Sequence, residues 1–200
     1  MNFLLLRNSF LSIILLVISF TLFLGFNSTV LASPTYTITQ KETDITLDGN
    51  IRGDVFWRGI KPITNLTQTS PYHGQKSSEK TLIYVTQSST HLYVGFVCLM
   101  KDISKQSESL SLRDNGLSHN DMVAFVLDTF NSKQNGYYFA ATLSGSLYDA
   151  LIEEDGSKFK SNWDGIWEAR VSKHQDGWEA EFKIPFASLN YLAGDNQVWG

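Results

Sequence analysis

Beyond residue 33 the chain is a succession of short segments in which apolar and polar residues alternate, each closed by a cluster of Gly, Asn, Asp or Ser. A period of two marks strands with one face covered, and turn clusters at this spacing predict an all-β, antiparallel β-sandwich. The clearest segments are 35–39, 44–47, 81–87, 91–100, 122–130, 137–143, 147–153, 166–173 and 178–184. Short helical turns are predicted only at 54–59 and at 186–189, the latter opened by Pro185.

Two segments reveal their layer. Segment 91–100 sets Leu92, Val94, Phe96 and Cys98 on one face and Tyr93, Val97 and Leu99 on the other, which predicts a central strand covered on both sides. Segment 178–184 alternates Trp178, Ala180, Phe182 and Ile184 with Glu179, Glu181 and Lys183, which predicts one buried face and one wet face. A tight reversal at Asp176-Gly177 pairs this segment with 166–173, and Leu143-Ser144-Gly145-Ser146 does the same for its neighbours.

The first 32 residues break the pattern. Arg7 is their only charge, an apolar run covers 10–26, and Val30-Leu31-Ala32 offers a cleavage site before Ser33. Residues 1–32 are therefore expected to be a signal peptide, with an uncleaved anchor as the alternative. Residues 33–200 then form one domain outside the cytoplasm, in the periplasm, on the outer membrane or in the medium. The closing Asn196-Gln197-Val198-Trp199-Gly200 resembles a turn and the opening of a new strand, so the sandwich is expected to be cut short there.

The formal net charge of −4, with no run of Lys or Arg, argues against a nucleic-acid partner. A lone cysteine, Cys98, rules out an intrachain disulfide and sits in an apolar strand, where an inert buried thiol is expected. No nucleophile elbow, zinc-protease helix or phosphate loop occurs, and His73, His91, His119 and His174 lack ligand spacing. The remaining catalytic option is a glycoside hydrolase using Glu179 and Glu181 as paired carboxylates.

The tryptophans sort by context. Trp57, Trp167 and Trp178 have apolar neighbours in phase with them and are expected in the core. Trp163, in the polar stretch Lys160-Ser161-Asn162-Trp163-Asp164-Gly165, either faces a ligand or folds back over the sandwich; Tyr72, beside Pro71, is a second exposed candidate. Asp114, Asp121, Asp128, Asp149 and Asp164 fall near strand ends, with Arg113 beside the first. Such carboxylates either converge on calcium, bond turn amides or pair with Arg113.

In order, Leu47-Asp48-Gly49, Val55-Phe56-Trp57, Leu92-Tyr93-Val94-Gly95-Phe96, Arg113-Asp114, Asn120-Asp121-Met122-Val123-Ala124-Phe125-Val126-Leu127-Asp128, Trp163-Asp164-Gly165-Ile166-Trp167-Glu168-Ala169 and Gly177-Trp178-Glu179-Ala180-Glu181-Phe182-Lys183-Ile184-Pro185-Phe186 resemble the family-nine carbohydrate-binding module. Within that group the chain is most similar to the module that opens large bacterial surface proteins whose C-terminal part resembles an outer-membrane β-barrel. The resemblance implies a jelly-roll-like sandwich that binds an oligo- or polysaccharide without transforming it, linked to carbohydrate catabolism and to a membrane-associated domain beyond this chain. It matches Trp163 to a stacking ring and places Asp121 and Asp128 in an acidic motif that suits structural calcium; with Trp163, the residues Arg113, Asp114, Asp149, Asp164 and Tyr72 complete the ligand-binding candidates. A relative that kept the sandwich and lost the aromatic clamp would instead be an accessory domain with no free sugar ligand.

Overall fold

The alternating segments become strands wherever their alternate residues have a second sheet to face. A computed structural model describes residues 34–107, 120–194 and 196–200. Its strands are β1 (Lys80–Gln87), β2 (His91–Leu99), β3 (Met122–Leu127), β4 (Gly136–Thr142), β5 (Leu147–Glu153), β6 (Lys158–Lys160), β7 (Glu168–His174) and β8 (Gly177–Pro185). They form two four-stranded sheets, β1-β2-β8-β7 and β3-β4-β5-β6, in which every neighbouring pair is antiparallel. All belong to one compact unit, Ile38–Gly200. Of the preceding unit, Met1–Thr37, the described residues 34–37 carry no regular secondary structure.

The main core lies between the sheets. Phe182 of β8 meets Phe96 at 5.7 Å and Phe125 at 5.3 Å edge to face, and Trp167 stacks on it at 5.7 Å and 9°. Such ring pairs add about 0.5–1.5 kcal/mol each beyond the area they bury. Trp167 and Trp178 are buried here as expected, and burial pushes the Cys98 thiol up to about 12, leaving it inert.

β2 is covered on both faces as its sequence predicts. Leu92, Val94, Phe96 and Cys98 enter the main core, while Tyr93 and Val97 join Ile45, Ile51 and Trp57 in a second cluster on the outer face of the first sheet. That cluster is built by residues 44–57, which cross the sheet as a strap.

Two expected segments are not strands. Residues 35–39 and 44–47 enter neither sheet, and Gln40 makes only an isolated parallel bridge to Gln87. The strap's amides turn down to side chains rather than across to a neighbouring strand. β3 stops at Leu127, short of residue 130, because the Asp128 carboxylate takes the Phe130 and Lys133 amides and reverses the chain. Three-residue β6 was not predicted, being too short to show a period.

Candidate functional site

The wet face expected for β8 is in fact buried. Glu179 and Glu181 are 0% exposed, because the strap lies over them and supplies every donor they need. Glu181 Oε2 accepts the Asp48 and Gly49 amides at 3.1 and 2.8 Å, and its Oε1 accepts the Trp57 indole N–H at 2.6 Å. Glu179 Oε2 accepts the Ile51 and Arg52 amides at 2.6 and 3.0 Å, and its Oε1 accepts Arg52 Nε. Arg52 then clasps exposed Asp176 with both terminal nitrogens, at 2.6 and 2.8 Å. Burial pushes the Glu181 carboxyl up from its ordinary range, against the lowering effect of these donors. The two carboxylates are anchors for the strap and face no cleft.

His174 Nε2 lies 2.8 Å from Ser172 Oγ and 3.4 Å from Glu179 Oε1. A nucleophile relay needs the serine and the carboxylate on opposite ring nitrogens. Here one nitrogen faces both, and Ser172 Oγ donates to the Gly49 carbonyl at 2.6 Å.

The 161–167 stretch brings three of the ligand-binding candidates together. Trp163 folds back, half-buried, onto Tyr137 at 5.1 Å and Phe139 at 6.0 Å. Asp149 sits opposite Phe139 in the β4–β5 register, so it faces the core; it is fully buried and accepts the Gly165 amide at 2.6 Å. Glycine at 165 lets the Trp163 ring pack close to the backbone, since a Cβ there would lie 2.6 Å from that ring. Asp164 remains exposed beside them. Trp163 thus closes the sandwich instead of standing free beside open polar groups.

Tyr72 is exposed, but on a separate excursion tied together by the Thr67–Lys76 bridge, beyond the β1 edge of the first sheet. Arg113 and Asp114 lie outside the described residues. Asp121 and Asp128 flank β3 at its two ends, about 23 Å apart for an extended strand, so one ion cannot engage both. Asp121 Oδ2 accepts the Ser107 amide at 3.1 Å. Asp128 accepts the Phe130 and Lys133 amides at 3.1 and 2.6 Å; these bonds hold its carboxyl below the ordinary value of 3.8 against the opposing effect of burial. No group of three or more metal-ligating side chains occurs among the described residues.

Aromatic surface does exist, on the outer face of the second sheet. Residues of β3, β4 and β5 that alternate with the core positions point outward from the second sheet: Ala124 beside Ala140 beside Tyr148, and Val126 beside Tyr138 beside Ala150. Next to these, Gly136 is opposite Ile152, and Ile152 opposite Phe159 of β6. Tyr138 lies 5.8 Å from Tyr148 and 5.7 Å from Phe159, edge to face with both. Phe159 is 52% exposed and Val126 48%, with Tyr138 and Tyr148 half-buried. No outward position of β3, β4, β5 or β6 named here is charged. Burial, and the neighbouring Tyr148, raise the Tyr138 phenol above its ordinary pKa, so it stays a neutral donor. The signal was present in Tyr137-Tyr138: one tyrosine of an adjacent pair in a strand must face away from the core.

Solved structures share the fold. A family 9 carbohydrate-binding module from Caldicellulosiruptor kristjanssonii in complex with glucose superposes with a TM-score of 0.55 at 12% identity, over 81% of this chain and 74% of that one. The chain has the fold of a family 9 carbohydrate-binding module. A family 9 module from the same organism in complex with cellotriose gives 0.50 at 13% identity, over 74% of this chain and 66% of that structure, just under two thirds of its length. A Bacteroides uniformis protein designated carbohydrate-binding gives 0.56 at 11% identity, over 76% and 72%. No protein-family model and no curated protein matches the chain.

Proposed function

We propose that the chain is a non-catalytic carbohydrate-binding domain of an exported protein engaged in glycan breakdown, and that it holds sugar on the outer face of its second sheet. The observation that carries this reading is the uncharged row Tyr148–Tyr138–Phe159 on that face. Sugars present apolar C–H faces that pack on such rings, and phenol hydroxyls pair with sugar hydroxyls. The fold's likeness to modules solved with glucose and cellotriose supports an oligosaccharide ligand. Export rests on the sequence of residues 1–32; among the described residues no helix is long and apolar enough to cross a membrane.

One observation favours a second reading, that of an accessory domain without free sugar: Trp163 is packed, so the ring expected to stack on a ligand is occupied. Thermal unfolding against a panel of soluble sugars, with calcium and with chelator, separates the two. A ligand at tenfold its dissociation constant adds about 1.4 kcal/mol, or roughly 3–6 °C. A shift with one sugar class supports the binding domain. Its absence across the panel supports the accessory domain, and a shift from calcium alone points to a structural ion at a site that does not pair Asp121 with Asp128.

A further inference from the structure

Tyr138 and Phe159 sit on β4 and β6, two strands apart, so their backbones are separated by about 10 Å. Their rings nevertheless meet at 5.7 Å, because Ala150, paired with Tyr138 on the intervening β5, is small enough for the tyrosine to lean across it. Tyr148, two residues before Ala150 on the same face of β5, flanks Tyr138 at 5.8 Å. The rings thus form a run with Tyr138 in the middle and two nearly equal steps, each close to the length of one pyranose unit in an extended sugar chain. Toward β3 the face continues through Ala140, Ala124 and Val126. Among the described residues no outward position of these four strands holds a cation: the lysines of β6 alternate with Phe159 and pair with acids, Lys158 with Glu154 at 3.6 Å and Lys160 with Glu153 at 2.6 Å. A uronate or sulfate laid here would lose its water with no cation in exchange, and the net charge of −4 opposes an acidic polymer. A chain end is gripped by polar groups that converge on its terminal hydroxyls. This face offers the Tyr138 and Tyr148 hydroxyls and Thr142, whose own hydroxyl already lies 2.9 Å from Ser144 Oγ.

Resting on the reading of this face as the sugar-holding surface, we infer that it takes the interior of an uncharged polysaccharide, laid across successive rings, and neither a chain end nor an acidic glycan. Successive sugar units each pack a C–H face on a ring, and the phenol hydroxyls bond the sugar hydroxyls at the rim. One long chain therefore carries several copies of the domain along its length.

Titration calorimetry tests this with soluble xylan and soluble mixed-linkage β-glucan, each at two chain lengths, and with polygalacturonate. For a neutral polymer, the number of copies bound per chain should rise in proportion to chain length. Polygalacturonate should bind at least about tenfold more weakly than that polymer, and the double variant Tyr148→Ala with Phe159→Ala, folded with an unfolding midpoint near the parent's, should weaken neutral binding at least about tenfold. One copy per chain at both lengths overturns the inference, since an end is then being held, and so does polygalacturonate binding as tightly as the neutral polymers. In either case the sugar-holding reading of the face stands if the double variant still weakens binding. Binding by none of the polymers, or binding that the double variant leaves unchanged, overturns that reading and this inference together.

Discussion

Glu181 holds the strap through three donors, the Asp48 and Gly49 amides and the Trp57 indole N–H. Alternation with Trp178, Ala180 and Phe182 put Glu179 and Glu181 on the opposite face, which is right; that face was taken as wet, which is not, because a covering layer leaves no trace in the strand's own pattern. The available clue was the pairing of two carboxylates with Leu47-Asp48-Gly49, whose amides need acceptors. Replacing Glu181 with Gln puts an NH2 group against strap donors and should destabilise the fold by about 2–4 kcal/mol in urea unfolding. Acid acts elsewhere. Asp44, Asp128 and Asp176 are all held below 3.8, Asp44 chiefly by Tyr93 and Asp176 chiefly by Arg52. Their stabilisation is complete above the unfolded value and is lost as pH falls through the depressed folded values. Glu181, raised, has the opposite sign: its contribution weakens as pH climbs from 4.5 through its folded value. Stability should therefore fall with acidification below about pH 4, and Asp128→Asn should flatten that fall.

Among the elements, period-two patterning located β1, β2, β4, β5, β7 and β8 because each of these strands spans at least seven residues with a core-facing set. It failed for the strap, whose apolar residues Ile45, Ile51 and Trp57 anchor a segment held by side-chain acceptors instead of a ladder. The tightest point of that segment is Gly49, with φ +83° and its Cα against the Val171 backbone, where a Cβ would come within 2.8 Å. Gly49→Ala should cost about 1–3 kcal/mol and loosen the strap, read as faster exchange of the Ile51 and Arg52 amides with β2 still protected. The candidate site divides along the same line. Trp163, Asp149 and Asp164 were legible singly, as three of six ligand-binding candidates, but that Asp149 joins the 163–165 loop, and that the ring turns inward, depended on a strand register and on Tyr137 and Phe139, far away in sequence.

At the scale of the molecule, the strap covers the outer face of the first sheet, and among the described residues the outer face of the second sheet presents the Tyr138, Tyr148 and Phe159 rings. Tyr148→Ala and Phe159→Ala should each weaken sugar binding by about 1–2 kcal/mol, roughly tenfold in dissociation constant, while leaving the unfolding midpoint close to that of the parent. Trp163→Ala should do the reverse, costing about 3–5 kcal/mol of stability as a ring packed on the core is removed. The most direct measurement is an NMR titration of the chain with cellotriose and with glucose, following the aromatic ring signals. Sugar binding on the outer face of the second sheet predicts saturable shifts at Tyr138, Tyr148 and Phe159 with little change at Trp57, Trp167 or Trp178. Saturable shifts centred on any other face, with those three rings unmoved, would contradict it.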